Sequence, residues 1–152
     1  MSIPFDAFVF IGLLVAMYLS SEPKKTSIAV VAYVALIIRA LDYFFDGWIV
    51  MNMVSITESL GAILLLSYAS TLKHHKDRVF FRMMSVFLLV SAATVPLYRY
   101  DIIYLHGDYV AISHAIALTH LTFMMIFSDG IGIVARNLRN NLFTHRRGAA
   151  SS

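Results

Sequence analysis

The sequence predicts an all-α fold: a polytopic transmembrane helix bundle of about five spans, with the N-terminus outside and the C-terminus inside. Three observations carry that reading. The 152 residues are 59% hydrophobic and 14% charged, whereas a soluble domain carries roughly 25% charged residues. Several apolar segments approach the length of about 20 residues that crosses the hydrocarbon layer. Basic residues collect in alternate connections. A chain this short and this apolar cannot hide its side chains in one small soluble core.

The first segment, Pro4 to Leu19, is slightly short and ends at Ser20 and Ser21. It lacks a positive leader region and a clean small-x-small cleavage pattern, so it is read as a retained span and not a signal peptide. The second runs from Ser27 to about Gly47 and the third from about Asn52 to Leu72, joined by an apolar turn, "WIVMNMV". The fourth is Val79 to Leu97 and the fifth about Tyr109 to Val134. Residues 1–135 form one transmembrane helical domain. Residues 136–152 form a basic cytoplasmic tail, partly helical with Leu138, Leu142 and Phe143 near one face and then disordered. No internal repeat is visible, so an inverted-repeat transporter has little support.

Charge sets the direction. "SSEPKKT" holds Lys24 and Lys25, "KHHKDR" holds Lys73, Lys76 and Arg78, and the tail holds Arg136, Arg139, Arg146 and Arg147. A five-span scheme puts all of them on one side, which the positive-inside rule makes cytoplasmic. Asp6, Asp46, Asp101 and Asp108 fall on the other side with Arg99. Aromatic residues gather there as well: Tyr43, Phe44, Phe45 and Trp48 at one turn, and Tyr98, Tyr100, Tyr104 and Tyr109 at the other. Such rings favour the headgroup level.

Ionisable groups inside the spans supply the candidate sites. In "VALIIRALDYFFDGW", Arg39 lies roughly 12 Å inside the outer end and Asp42 sits one turn above it on the same face. Glu58 lies roughly 9 Å inside the outer end of the third span, and His114 at similar depth in the fifth. An isolated charge at mid-helix costs about 3 kcal/mol, so Arg39, Asp42, Glu58 and His114 are expected to form an intramembrane polar cluster facing the bundle interior. Such a cluster serves either as a structural clasp or as a pocket or ion path. Near the inner side, Arg82 and Asp129 are expected to pair at matching depth. Arg82 alone could instead snorkel to the interface.

His120, beside Thr119 and Thr122, is expected to hydrogen-bond across helices near mid-membrane. His114 and His120 share one helix, so they cannot clamp a haem from both sides, and haem is disfavoured. "KHHK" reads as a solvated basic loop and not a metal site. With no cysteine in the chain, disulfides, thiolate metal sites and iron–sulfur clusters are excluded. No metal or other cofactor is expected; a lipid or a quinone is the ligand class the outer pocket would suit. No hydrolase triad, phosphate-binding glycine loop or pair of catalytic carboxylates stands out. Small residues at four-residue spacing, Ser55 with Ser59 and Ser67 with Thr71, support helix contact, as does the thin patch "SAAT" at 91–94. Gly130 and Gly132 are read as close-packing positions.

Three functional classes remain. The first is a small non-enzymatic integral membrane protein acting by assembly, as an oligomeric pore or a subunit of a larger membrane complex. In size and basic tail the chain is similar in composition to holin-like lysis proteins of bacterial viruses, although five spans exceed the usual number in that group. The second is a transporter or proton or ion channel using Arg39, Asp42, Glu58 and His114. The third is a quinone-binding or other membrane enzyme subunit. The expected partners are membrane lipids, anionic on the cytoplasmic side, and either further copies of the chain or other subunits, with no nucleic acid. The expected location is a bacterial-type inner membrane.

Overall fold

The computed structural model describes residues 5–45, 47–100, 106–129, 132 and 135–136. They form helices α1 (Phe5–Leu19), α2 (Lys24–Phe44), α3 (Gly47–Thr71), α4 (His75–Arg99) and α5 (His106–Phe127). Consecutive helices pack on one another, α5 closes back onto α1, and α2 also reaches α4. The result is an antiparallel ring of helices with two distinct ends.

At one end, Lys24 at the start of α2 meets Asp129 just past α5, and both line a cleft of about 520 Å³ with His74, His75, Lys76 and Asp77. We call this the basic end. At the other, Trp48 of α3 stacks on Tyr98 of α4 at 5.6 Å between centroids, and Tyr98 stacks on Tyr109 of α5 at 4.9 Å. This is the aromatic end. Three helices are thus tied by their rings at the level where amphipathic aromatics favour an interface.

The helix limits correct several expectations. The apolar "WIVMNMV" is not a turn: α3 begins at Gly47, whose φ of +66° suits glycine. α2 ends at Phe44, where Phe45 N–H donates to Leu41 O at 2.9 Å. α5 stops at Phe127, seven residues before the expected Val134, as Asp129 takes a left-handed φ of 68°. Aspartate tolerates that conformation better than most residues. The tail beyond Arg136 lies outside the described residues, as do Gly130, Asp46 and Asp101. Among the described residues nothing stands within 4 Å of a Cβ built on Gly132, so they show no close packing there.

The interior is filled by apolar side chains. Phe81 and Met84 are fully buried, as are Ile28 and Ala62, with Leu65 and Met124 at 1% exposure. Two glycines let backbones approach. A methyl group on Gly61 would stand 2.7 Å from Val34 Cγ2, and one on Gly12 would stand 2.6 Å from Leu121 Cδ2. Gly61 therefore admits α2 against α3, and Gly12 admits α5 against α1.

The α3–α4 seam is the most extensive contact. Ser55, Glu58, Ala62, Leu65 and Ala69 repeat at alternating three- and four-residue steps, which keeps one face toward a partner helix. Polar groups in the seam bond across it. Ser85 Oγ donates to Ala62 O at 3.0 Å, Ser91 Oγ to a Glu58 oxygen at 2.6 Å, and Ser55 Oγ to Ala92 O at 2.9 Å. The last bond has a local cause. Pro96 lies inside α4 and has no N–H to offer the carbonyl four residues earlier. That carbonyl belongs to Ala92, and Ser55 supplies the missing donor from α3. In an apolar medium an unsatisfied carbonyl costs several kcal/mol, so a neighbouring hydroxyl is what makes this proline tolerable.

The outside of the ring is as apolar as the inside. Phe8, Ile11, Leu36, Ile56, Leu60, Leu64, Val86 and Ile126 are among the large exposed side chains. A water-soluble monomer rarely leaves so much contiguous apolar surface open. By length and composition, four helices suffice to cross a membrane: Lys24–Phe44, Gly47–Thr71, His75–Arg99 and Gly107–Phe127. The protein is a membrane-embedded helical bundle. The 15 residues of α1 reach about 22 Å at 1.5 Å each, less than a hydrocarbon core of about 30 Å.

Candidate functional site

The site is best built from α3 outward. Glu58 is 8% exposed. Because α3 begins at Gly47, this carboxyl sits roughly 16 Å from the aromatic end of its helix, deeper than the sequence suggested. The seam periodicity turns it toward α4, where the Ser91 hydroxyl is its partner. Tyr109 of α5 approaches from the aromatic end. Its phenol lies near the side chains of Thr94 and Ser113, and within electrostatic reach of Glu58 and of Asp42 on α2. A carboxyl, a phenol and three hydroxyls from three helices therefore share one polar region beneath the Trp48–Tyr98–Tyr109 stack.

The expected four-residue cluster is not assembled as one buried unit. Arg39 and Asp42 lie on the exposed side of α2, and both have partners. With α2 ending at Phe44, Arg39 is only roughly 8 Å from the end of its helix. An extended arginine reaches an interface from there, which removes the reason for it to turn inward. His114 is also exposed, and its ring stacks on Phe5 of α1 at 3.8 Å between centroids. Of the four, Glu58 alone is buried.

His120 occupies the middle of the bundle. It is buried, its Nε2 lies 3.3 Å from Met84 Sδ, and its ring stacks on Phe87 at 4.8 Å. Phe123 continues the cluster against Phe87 and Phe80. This aromatic layer, together with Leu65, Phe81 and Leu88, separates the Glu58 region from the basic end.

At the basic end the ion pair is not the expected one. Asp129 Oδ2 accepts from Lys24 Nζ at 2.7 Å, and Lys24 also donates to Phe127 O at 3.0 Å. Among the described residues no ion pair joins Arg82 to Asp129. The helix limits explain this. Arg82 is seven residues into α4, roughly 10 Å from its start, whereas Asp129 has left α5 and turned under the start of α2. Arg82 is exposed. Lys24 neutralises the carboxylate, satisfies a terminal carbonyl of α5, and stands 5.6 Å from the Phe80 ring centroid. Its side chain is 11% exposed against 52% for Asp129.

Sequence reasoning missed Lys24, which it counted only as a loop charge. It also missed Tyr109 as a site residue and Ser91 as the partner of Glu58. The signal for Ser91 was present, since "SAAT" was recognised as a helix-contact patch. Among the described residues no group of three or more histidine, cysteine or carboxylate side chains could hold a metal ion. The sequence matches no family model, no curated protein and no solved structure.

Proposed function

We propose that this is a small polytopic membrane protein that works by assembly, as one subunit of a larger membrane complex built through α5. One observation carries the reading. α5 is the least covered of the four long helices, with 17% of its apolar window buried against 28–44% for the others. Its uncovered side also carries a run of small residues beside Ile112, Leu118 and Ile126. On α3 the exposed residues include Ile56, Leu60, Ile63 and Leu64, which suit acyl chains. On α5 they include Ala111, Ala115 and Thr119, small residues at four-residue spacing. Without a hydrophobic drive between helices in lipid, such stripes are where helix backbones meet. The hydroxyls of Thr119 and Thr122 bond to Ala115 O and Leu118 O of their own helix, so the face carries no polar debt in either setting.

The orientation proposed with it is five spans, N-terminus outside, with the basic end cytoplasmic. Lys24, Lys25, Lys73, Lys76 and Arg78 share that end, and the positive-inside rule supports the assignment. A water-filled pore through one chain has less support than a subunit role, because apolar and aromatic side chains fill the ring.

The test is the chain count in lipid nanodiscs, by single-molecule photobleaching or mass photometry, together with cysteine cross-linking at Ala115. More than one chain per particle, or a stoichiometric second subunit cross-linked at Ala115, supports the reading. Ala115→Ile with Thr119→Ile should then release single chains, while Leu64→Ala leaves the count unchanged. A monomer without a partner in native membranes, uncross-linked at Ala115, overturns it.

A further inference from the structure

We propose that Arg78 and Arg82, at the basic end of α4, hold the phosphate of an anionic glycerophospholipid whose acyl chain lies along the outer face of the same helix. The two arginines are four residues apart, so they stand one above the other on one face. Arg82 is exposed and its Cα lies roughly 10 Å into the helix. α4 starts at the basic end, and helical side chains lean toward the N-terminus of their own helix. The Arg82 guanidinium is therefore carried toward Arg78 and toward the headgroup level. Like charges one turn apart repel, and an anion between them turns that repulsion into two charge-assisted contacts.

Among the described residues the fold supplies no such anion. Neither arginine joins an ion pair there, and Arg78 Nε is buried without a hydrogen-bond partner. Each acidic residue described at this end is engaged elsewhere. Asp129 takes Lys24, and Glu22 accepts from Thr26 at 2.7 Å. Asp77 lines the cleft with Lys24 and Lys76, about 100° round the helix from Arg78 and about 140° from Arg82. No acidic side chain follows Asp129 in the sequence. Farther into the bundle the arginine face turns apolar. Val86, Leu89 and Ala93 follow Arg82 at steps of four, three and four residues, and all are exposed. A pair of guanidiniums at the surface and an apolar stripe running inward match the two parts of one phospholipid. Arginine presents N–H donors in a plane that suits phosphate. A net negative headgroup is favoured, since a zwitterionic one would bring a further cation to the pair. This contact uses α4 of a single chain, so it stands or falls apart from assembly through α5.

The test is lipid retention by native mass spectrometry, with the protein released from nanodiscs that hold equal amounts of phosphatidylglycerol and phosphatidylcholine. Each chain should retain phosphatidylglycerol in preference. Arg78→Gln and Arg82→Gln should each lower that preference roughly fivefold, and the double variant should abolish it. Lys76→Gln removes one charge from the same end on the cleft face, and should leave the preference intact. Circular dichroism checks that each variant is folded. Arg82 is exposed, so its single variant carries the test if the double variant fails to fold. Retention without headgroup preference, arginine variants that behave as the wild type, or an equal loss in Lys76→Gln overturns the site. Displacement of the lipid by excess inorganic phosphate would reveal a site for free anions, and overturns the lipid as its occupant.

Discussion

Along α3 and α4, serines and alanines at three- and four-residue steps close a helix pair. Along α5, alanines and threonines at similar steps face outward. The residue types are alike; the difference is what stands opposite. In the seam, Ser55, Ser85 and Ser91 donate to groups on the facing helix. On α5, Thr119 and Thr122 donate back to their own helix. Small residues thus permit contact without specifying it. A hydroxyl directed across an interface marks a contact already made, whereas one turned back on its own helix specifies no partner and occurs on covered faces too, as at buried Thr94 and Ser27.

The hardest blow to that contrast is overpacking. Ala62 is fully buried in the seam, so Ala62→Leu should destabilise the fold by about 3 kcal/mol. In single chains, the same change at exposed Ala115 on α5 should stay within about 0.5 kcal/mol. Thermal unfolding followed by circular dichroism in one detergent gives both values. Equal shifts would mean that the seam and the α5 face are not different in kind.

Next in size is the clasp that joins α5 to α2. Lys24→Ala removes the partner of Asp129 and of Phe127 O together, and should cost about 2 kcal/mol. Asp129→Asn should cost less than half of that, since Asp129 is half exposed and asparagine also accepts the left-handed backbone. If the two variants unfold alike in the same assay, Lys24 has no role beyond the ion pair.

A smaller effect sharpens the account of the seam. Ser55→Ala should cost about 1 kcal/mol, because Ala92 O loses its donor in an apolar setting. In a Pro96→Ala background the restored backbone N–H serves that carbonyl, and the same serine change should cost close to nothing. A double-mutant cycle measures the coupling. Additive effects would show that Ser55 does not compensate for the proline. The least effect is expected from Thr122→Val on α5, within about 0.5 kcal/mol, with the chain count as the second readout.

The sequence by itself determined the class of object. Its composition, its apolar runs and its alternating basic connections led to a helical membrane bundle, and four of the helices have the length to cross. The basic and aromatic ends were legible for the same reason. Both follow from the solvent that each stretch prefers, which is a property of local composition. The positions of the small residues at Ser55 and at 91–94 were legible too, because helical periodicity places them on a face.

Which face meets which helix was not legible. Periodicity gives an angle around one axis and says nothing about the neighbour. Arg39, Asp42, Glu58 and His114 share a depth in the sequence, yet only Glu58 turns inward, because the angles of α2 and α5 in the ring leave the others exposed. The pairing of Asp129 depended on where α5 stops. A helix continued to Val134 would have kept it on the α5 face, level with Arg82. A helix ended at Phe127 with a left-handed aspartate brings it to Lys24, more than one hundred residues away in the chain. Small shifts in helix ends and rotations choose the partners of buried charges, and only the packed ring fixes them.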